Sequence, residues 1–322
     1  KFEGYGKLSH KNLDDLQSGF RSLQVSGEDQ KEDPLDFVLW KPKKEGEPYW
    51  KSPWCDGRPG WHIECSVMSK KYLGDEIDIH AGGEDLVFPH HENEIAQSEC
   101  CNGVPFAKYW MHNAFLNIDN RKMSKSLGNF RTVREIGEQY DLQVLRFFML
   151  NAHYRSPLNF SADLMESSKN ALERITEAAA RLRDRQASDV QNATEEEKKL
   201  MQEESAFVTK FEEAMDDDFN TADALAAVFE LVKFANTNVQ EGSSAEFAGY
   251  TLEVMTKLCD VLGLNLDKKE EILDEEIENL IAERQAARKA KDFARADEIR
   301  GILLDKGIEL KDTREGVKWK RI

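Results

Sequence analysis

Residues 76–83 read Glu-Ile-Asp-Ile-His-Ala-Gly-Gly, in which polar and apolar side chains alternate before two glycines. Alternation with a period of two is typical of a β-strand that buries one face, and paired glycines mark the turn that follows. The stretch 110–118, Trp-Met-His-Asn-Ala-Phe-Leu-Asn-Ile, is a second strand candidate. We therefore predict two strands within residues 76–118.

A group of metal-ligand residue types lies between and before these strands. The segment Phe88-Pro89-His90-His91-Glu92-Asn93-Glu94 is typical of a helix start, with Pro89 in the first turn, where its missing N–H does no harm. His90 and Glu94 are four residues apart and share a helix face. Alone, such a pair is more often a surface pair than a metal site. Together with Cys65, however, it offers the nitrogen, oxygen and sulfur donors that zinc accepts.

The next motif outward is Lys122-Met123-Ser124-Lys125-Ser126, closely followed by Gly128. A loop of this kind can bring two ammonium groups and several backbone N–H donors onto a polyphosphate. Lysines placed there stabilise the charge that grows on phosphate oxygens during nucleotidyl transfer. The alternative interpretation of such a short segment is a solvated surface loop.

Composition limits the class of protein. No apolar run approaches 18 residues, which predicts no membrane span. The five cysteines show no framework spacing and no secretory signal opens the sequence, which favours a cytoplasmic location. The net charge of −17 argues against general nucleic-acid binding, but residues 284–322 hold twelve Lys/Arg against seven Asp/Glu. A basic end on an acidic body can still direct a polyanion to one place.

Four long segments carry a family resemblance: GRPGWHIECS at 57–66, FPHHENEIAQSE at 88–99, KMSKSLGNF at 122–130 and AMDDDFNT at 214–221. Together they resemble the cysteinyl-tRNA synthetase family, nearly from end to end. The resemblance implies an α/β catalytic part, the second half of a class I synthetase Rossmann-type fold, followed by mainly α-helical C-terminal domains. Family members begin with a first half that carries a HIGH motif and a metal-binding cysteine, and neither is present here. We therefore expect the sequence to be incomplete.

The resemblance also divides the chain. The expected parts are the end of an insertion region at 1–35, the second half of the Rossmann-type domain at 36–118, the KMSKS loop and stem-contact fold at 119–180, a helical bundle at 181–265 and a small anticodon-binding unit at 275–322. By resemblance, both predicted strands belong to a parallel sheet with helices between them.

Local patterns add expectations for the later parts. Thr132 with Glu135 is typical of a capping box, and the apolar run at 142–150 has helical spacing and is expected to be core. The segment 216–221 is expected to be an acidic helix start. The unit at 275–322 is expected to hold two helices and then a turn-rich end.

The reaction that the resemblance implies is ATP-dependent activation of cysteine to cysteinyl-adenylate, followed by transfer to tRNA(Cys). Zinc on Cys65, His90 and Glu94 would bind the substrate thiolate and thereby reject serine, and Trp61 would pack beside the cysteine. ATP would be used with Mg²⁺. The implied ATP-binding residues are His80, Gly82, Gly83, Asp85 and Lys125, and the implied catalytic residues are Lys122 and Lys125.

Further expectations concern tRNA and the remaining cysteines. The tRNA-binding candidates are Arg288, Lys289, Lys318, Trp319 and Lys320. Among them Trp319, flanked by cations, is typical of a base-stacking platform. Cys55 is an alternative fourth zinc ligand, whereas Cys100 and Cys101 are expected to be buried thiols. No stable protein partner is indicated.

Two other functions fit the same motifs. One is the cysteine ligase of mycothiol biosynthesis, which shares the catalytic motifs but has little need for a basic C-terminal unit. The other is a catalytically inactive fragment that binds tRNA or zinc.

Overall fold

The alternating stretch forms one strand of a two-stranded parallel sheet. In the computed structural model, β3 (Ile77–Gly83) pairs in parallel with β4 (Ala107–Asn113), and helix α2 (Glu92–Asn102) connects them. A parallel pair needs such a crossover, since a tight turn cannot join its ends. Ile77, Ile95 and Phe106 form the buried core between helix and strands. The predicted parallel sheet is therefore confirmed.

The structure describes residues 2–12, 31–33, 36–123, 128–129, 131–267, 274–290, 292–313 and 316–321. They fall into two compact units, the first comprising residues 1–117 and 154–158, the second residues 118–153 and 159–322. The predicted catalytic Lys125 lies outside the described residues. For Lys122, Lys318 and Lys320 only the course of the backbone is described.

The second predicted strand, 110–118, is interrupted. Strand β4 ends at Asn113, and a separate short strand, β5 (Leu116–Ile118), forms a sheet with β6 (Arg121–Lys122) and β7 (Leu158–Phe160) in the order β6-β5-β7. The break arises because the backbone changes partner at Ala114. The Ala114 N–H donates to the Tyr154 carbonyl at 2.9 Å, and the Leu158 N–H donates to the Phe115 carbonyl at 3.1 Å.

A short hairpin precedes the parallel pair. Strands β1 (Trp40–Pro42) and β2 (Gly57–Pro59) are antiparallel, and helix α1 (Ile63–Leu73) follows. Gly60 holds the chain close to the start of β1, since its N–H donates to the Leu39 carbonyl at 2.8 Å. A Cβ at Gly60 would lie only 1.8 Å from the Val38 carbonyl oxygen. This position therefore requires glycine.

The N-terminal segment is fixed to the start of α2. The buried Glu92 carboxylate accepts hydrogen bonds from the Gly6 N–H at 2.9 Å and from the Ser9 N–H and hydroxyl at 2.7 and 2.8 Å. Tyr5 donates to Asn93 Oδ1 at 2.5 Å. A carboxylate in the first helical turn also interacts favourably with the helix dipole. Residues 5–9 are thus held against the helix that carries Glu94.

The second unit is mainly helical, as predicted. Its helices in the described residues are α3 (Val133–Gly137), α4 (Leu142–Leu150), α5 (Ala162–Gln186), α6 (Glu195–Glu203), α7 (Ser205–Asp216), α8 (Thr221–Asn238), α9 (Ala245–Val261), α10 (Asp274–Lys289) and α11 (Phe293–Asp305). Thr132 and Glu135 form the predicted capping box at α3. Helix α5 runs across residue 180, where a domain limit was expected. None of the helices that the structure describes is long and apolar enough to cross a membrane.

Buried side chains explain how the helices pack. Phe147 of α4, Met165 of α5, Leu231 of α8 and Phe247 of α9 are almost fully buried. The apolar run at 142–150 is therefore core, as its helical spacing predicted. Asn220 caps α8 by accepting from the Asp223 N–H at 3.2 Å. The three aspartates before it end α7 and form the turn that follows, so the helix begins only at the end of the expected segment.

The expected turn-rich C-terminal end is wrong. After α11 the chain forms an antiparallel hairpin of β8 (Ile308–Thr313) and β9 (Gly316–Arg321). Apolar residues alternate along both strands and pack onto a small core. That core consists of Ile277, Ile281, Ile299, Leu303, Ile308 and Leu310, and Val317 and Trp319 are partly buried against it. The alternation of apolar and polar residues lets each strand bury one face, which explains why strands form here.

The expectation for Cys100 and Cys101 is also wrong, since both are exposed, whereas Cys259 is buried. The two residues occupy the last turn of α2. The face of that helix that is turned to the core is filled earlier, by Ile95, Ala96 and Ser98.

Candidate metal centre

Three elements of the first unit bring the predicted metal ligands together. Cys65 lies in the first turn of α1, His90 lies just before α2, and Glu94 lies in its first turn. The helix begins at Glu92, later than predicted, because Phe88 is extended (φ −139°, ψ 133°). A residue before proline is disfavoured in the helical region. Pro89 thus lies in the turn that leads into α2, and its carbonyl accepts from the Glu92 N–H.

The donor atoms are within reach of one ion. His90 Nε2 lies 2.6 Å from Glu94 Oε1 and 4.0 Å from Cys65 Sγ, and His90 and Glu94 are buried. Zinc ligands at about 2.0–2.3 Å in a tetrahedral arrangement lie roughly 3.3–3.8 Å from one another. The sulfur–nitrogen distance is close to that range, and the nitrogen–oxygen pair would need to separate by about 1 Å. The residues present therefore fit zinc.

The protonation states of these groups follow from burial. Burial and the nearby Glu94 carboxylate raise the pKa of the Cys65 thiol to about 11. Burial opposes ionisation of Glu94 as well, but the hydrogen bond from His80 and the neighbouring histidines lower its pKa. Burial lowers the pKa of His62 and of His91 to about 4, so both rings are neutral at neutral pH. A cation would be needed to hold the Cys65 sulfur as thiolate.

His80, which was expected to bind ATP, contacts Glu94 of the predicted zinc-binding group. Its Nε2 lies 2.7 Å from Glu94 Oε2, the carboxylate oxygen that does not face His90. A residue that hydrogen-bonds to the second oxygen of a metal-binding carboxylate fixes the orientation of that carboxylate. His80, His91 and Glu94 also form a second group of donors close enough to hold a metal. A role for His80 in binding ATP stays a prediction.

The predicted glycines lie at the end of β3 and serve the packing there. A Cβ at Gly82 would lie 2.9 Å from the His91 ring and 3.0 Å from Leu86. A Cβ at Gly83 would lie 2.6 Å from Asp85 Oδ1, and Asp85 itself is exposed. Their contact with ATP stays a prediction.

Three histidines that the sequence analysis left without a role join the cluster. His62 Nδ1 lies 2.6 Å from His90 Nδ1, and His91 Nδ1 lies 2.8 Å from His112 Nε2. The register of the parallel pair places His112 opposite Gly82. His112 lies on the second predicted strand, so the sequence could have placed it near Gly82. That inference requires the register of the two strands, which the sequence does not show.

Trp61 lies beside the ligands and is not a core residue. Its ring stacks on His62 at 4.7 Å and 21°, and is tilted over His90 at 5.1 Å. With 58% of its surface exposed, Trp61 covers His62 and His90 on the side that faces solvent. Cys55 does not belong to either donor group found in the described residues. Its carbonyl accepts from Trp40 Nε1 at 3.1 Å.

Comparison with known families now adds to this geometry. Residues 1–170 match the catalytic domain of class I (C) tRNA synthetases, residues 210–267 match the DALR domain, and residues 271–319 match the cysteinyl-tRNA ligase anticodon binding domain. The cysteine–tRNA ligase of Lachnospira eligens is 69% identical over 327 residues, which cover 100% of this chain and 69% of that ligase. The chain belongs to the cysteine–tRNA ligase family.

Other members of the family agree. The cysteine–tRNA ligase of Lachnoclostridium phytofermentans is 64% identical over 99% of this chain and 69% of its own length. That of Clostridioides difficile is 57% identical over 100% of this chain and 69% of its own length. Among solved structures, the LeuRS of Agrobacterium radiobacter K84 in a ternary complex with tRNA and LeuAMS superposes with a TM-score of 0.54. It is 16% identical and covers 65% of this chain and 32% of its own, which supports the fold alone.

The cysteine–tRNA ligase match extends to the basic C-terminal unit. Arg288 and Lys289 are exposed at the end of α10. Trp319 packs on the small core of this unit, and its indole N–H donates to Glu278 Oε1 at 2.7 Å. In the same unit, Arg284 is buried, and Arg295 is paired with Glu283 and Glu298. Arg288 and Lys289 are therefore candidates for tRNA contact as exposed cations, whereas Trp319 is a candidate whose indole is partly buried.

Proposed function

We propose that this chain performs the cysteine-selecting chemistry of a cysteine–tRNA ligase: activation of cysteine with ATP and Mg²⁺, then transfer to tRNA(Cys). The convergence of Cys65, His90 and Glu94 beneath Trp61 carries the proposal. The family match of residues 271–319 supports a tRNA substrate and disfavours an amino-sugar ligase. Lys122 and Lys125 remain the proposed catalytic residues. The cytoplasmic location stays a prediction.

The chain's own residues define how the amino acid is chosen. Cys65, His90 and Glu94 would hold zinc, which supplies an affinity for a thiolate sulfur over a hydroxyl when bound. His80 keeps Glu94 oriented, and Trp61 shields one side of the site from water. An apolar pocket distinguishes near-isosteres by only ~10–200-fold. A sulfur-specific site can exceed that limit without a second, editing site.

ATP–pyrophosphate exchange tests this proposal. We expect exchange with cysteine to exceed exchange with serine by more than ~200-fold, the limit of a purely apolar pocket. The measurement is incorporation of labelled pyrophosphate into ATP over a range of amino-acid concentrations, and the two amino acids are compared by kcat/KM. Similar rates with the two amino acids would contradict selection of the thiol. Absence of exchange with both, while zinc and tRNA still bind, would instead indicate a binding protein without catalysis.

The C-terminal unit allows a second test. We expect Trp319→Ala to lower the stability of this unit by about 2–4 kcal/mol, since it removes a packed indole from a small core. Arg288→Gln and Lys289→Gln should affect thermal unfolding much less than Trp319→Ala does, since both side chains are exposed. They should weaken tRNA binding, with a smaller dependence of affinity on salt. Thermal denaturation without tRNA and salt-dependent tRNA binding provide the two readouts.

The Trp319→Phe variant separates packing from recognition by the indole. It keeps an aromatic ring on the core but loses the N–H that binds Glu278. If Trp319→Ala left stability unchanged and still reduced tRNA affinity, the base-stacking role would be favoured over the packing role.

A further inference from the structure

Three large aromatic side chains of the β1–β2 hairpin lie on the surface of the first unit. Tyr49 is 50% exposed, Trp50 58% and Trp54 76%. Exposed apolar surface that is contiguous commonly marks a site of interaction. Aromatic rings contribute large contact areas when a partner covers them.

The backbone that carries these rings is firmly held. Trp50 and Gly57 exchange backbone hydrogen bonds at 2.7 and 2.9 Å. The Ser52 hydroxyl donates to the Cys55 carbonyl at 2.6 Å and accepts from the Cys55 N–H at 3.1 Å. A Cβ at Gly57 would lie 2.2 Å from the Lys41 carbonyl oxygen, so the two strands are in close contact. The backbone that carries the rings is thus fixed, which lowers the entropic cost of ordering it on binding.

The charge of the hairpin is opposite to that of the chain as a whole. Two of its acidic residues are neutralised locally, since Lys43 pairs with Asp56 at 3.0 Å and Arg58 pairs with Glu47 at 2.8 Å. Three cations remain, and none of them forms an ion pair with any residue that the structure describes: Lys41, Lys44 and Lys51. Only Glu45 opposes them. A local positive charge on a protein with a net charge of −17 favours a polyanion.

The hairpin leads directly into the candidate metal centre. Strand β2 ends at Pro59, two residues before Trp61, and Cys65 follows in α1. The hairpin is therefore joined to Trp61, beside the proposed cysteine site, through Gly60 alone. For aminoacyl transfer, the nucleic acid that must come there is the 3′ end of tRNA.

We propose that the hairpin of residues 40–59 binds the single-stranded 3′ end of the tRNA acceptor arm. Trp50 and Trp54 stack on unpaired bases, and Lys44 and Lys51 contact phosphates. Every base has a π-face, so stacking of this kind suits a single strand and tolerates its sequence. The inference rests on the proposed function, since that function supplies the reason for a tRNA end at this place.

Binding of two RNAs to the full chain tests the inference. One is a tRNA(Cys) transcript with its complete 3′ end, and the other is the same transcript without its unpaired 3′ nucleotides. Trp50→Ala and Trp54→Ala should each weaken binding of the complete RNA by about fivefold or more. Neither should change binding of the trimmed RNA. The matched control is Tyr72→Ala on α1, a ring that is 71% exposed outside the hairpin and should have no effect.

The phosphate contacts have a separate readout. Replacing Lys44 and Lys51 together by glutamine should reduce the slope of log K against log salt by roughly 1.4, or about 0.7 for each phosphate contact to a single strand. An unchanged slope would overturn their assignment to phosphates.

The remaining outcomes overturn the inference in distinguishable ways. If the tryptophan variants bind the complete RNA as tightly as the wild type, or weaken both RNAs alike, the hairpin does not hold the 3′ end. A changed oligomeric state with unchanged RNA affinity would show that a second copy of the chain covers these rings. If the wild type binds neither RNA, the tRNA step of the proposed function fails as well. Because the assay needs no cysteine, zinc or ATP, failed amino-acid exchange leaves its result intact.

Discussion

Replacing Cys65 by alanine should abolish stoichiometric binding of zinc. The change removes the only sulfur donor of the group that the described residues form with His90 and Glu94. It leaves a buried imidazole–carboxylate pair, which is a poor site for a borderline-soft ion. His80→Ala should have a smaller effect, about 10–100-fold in zinc affinity, because it removes only the group that orients Glu94. Metal analysis after dialysis and competition with a chromophoric chelator measure both effects.

A matched thiol is available as a control. Cys100 is exposed on α2, the helix that carries Glu94, and Cys100→Ala should leave zinc affinity unchanged. If Cys65→Ala retained zinc at the affinity of the wild type, the donor group would have to be the other one, which combines His80, His91 and Glu94. Loss of zinc from His80→Ala but not from Cys65→Ala would lead to the same revision.

Glu204→Gln should stabilise the protein above pH 7. Glu204 joins α6 to α7, is fully buried, and has one oxygen bonded to the Thr251 hydroxyl at 2.6 Å. Burial raises the pKa of Glu204 to about 7, although the hydrogen bond from Thr251 lowers it in part. The folded state therefore retains a proton that the unfolded chain releases near pH 4.5. Stability from this group is present below about pH 4.5 and is lost as pH rises to about 7.

The expected gain is about 3 kcal/mol at pH 8, from a pKa difference of roughly 2.5 at 1.36 kcal/mol for each unit. It should shrink towards zero near pH 5, where the carboxyl is protonated in the folded state. Chemical denaturation of wild type and variant at several pH values measures the difference. Glu203→Gln, one residue earlier and exposed, is the control and should change stability by less than about 0.5 kcal/mol. A gain for Glu204→Gln that did not depend on pH would contradict the ionisation argument.

The sequence predicted some parts of the molecule well because the deciding interactions are local. The alternation at 76–80, the capping box at Thr132 and the apolar run at 142–150 each depend on neighbours within a few residues. Cys65, His90 and Glu94 come from separate segments. Their donor types suggested a zinc site and the resemblance supported the grouping, but only the structure placed their atoms together.

Other parts depend on contacts that are distant in sequence. The contact of His80 with Glu94 and that of His91 with His112 require the register of a parallel pair, which no local pattern sets. The partner of Ala114 is forty residues away, so the break in the second strand had no local signal. In contrast, the alternation of Val317 and Trp319 was visible in the sequence. With only two apolar residues among Lys318, Lys320 and Arg321, however, this alternation is too short to predict a strand by itself.

Glu92 links two processes that are usually considered separately. It is fixed by residues 5–9 on one side, and two residues along the same helical turn Glu94 faces the metal ligands. Any state in which residues 5–9 detach leaves a buried carboxylate without its donors and loosens the turn that positions Glu94. By thermodynamic linkage, an ion that favours the ordered turn must strengthen attachment of the N-terminal segment by the same free energy. Metal occupancy and the order of this distant stretch of chain would therefore rise and fall together.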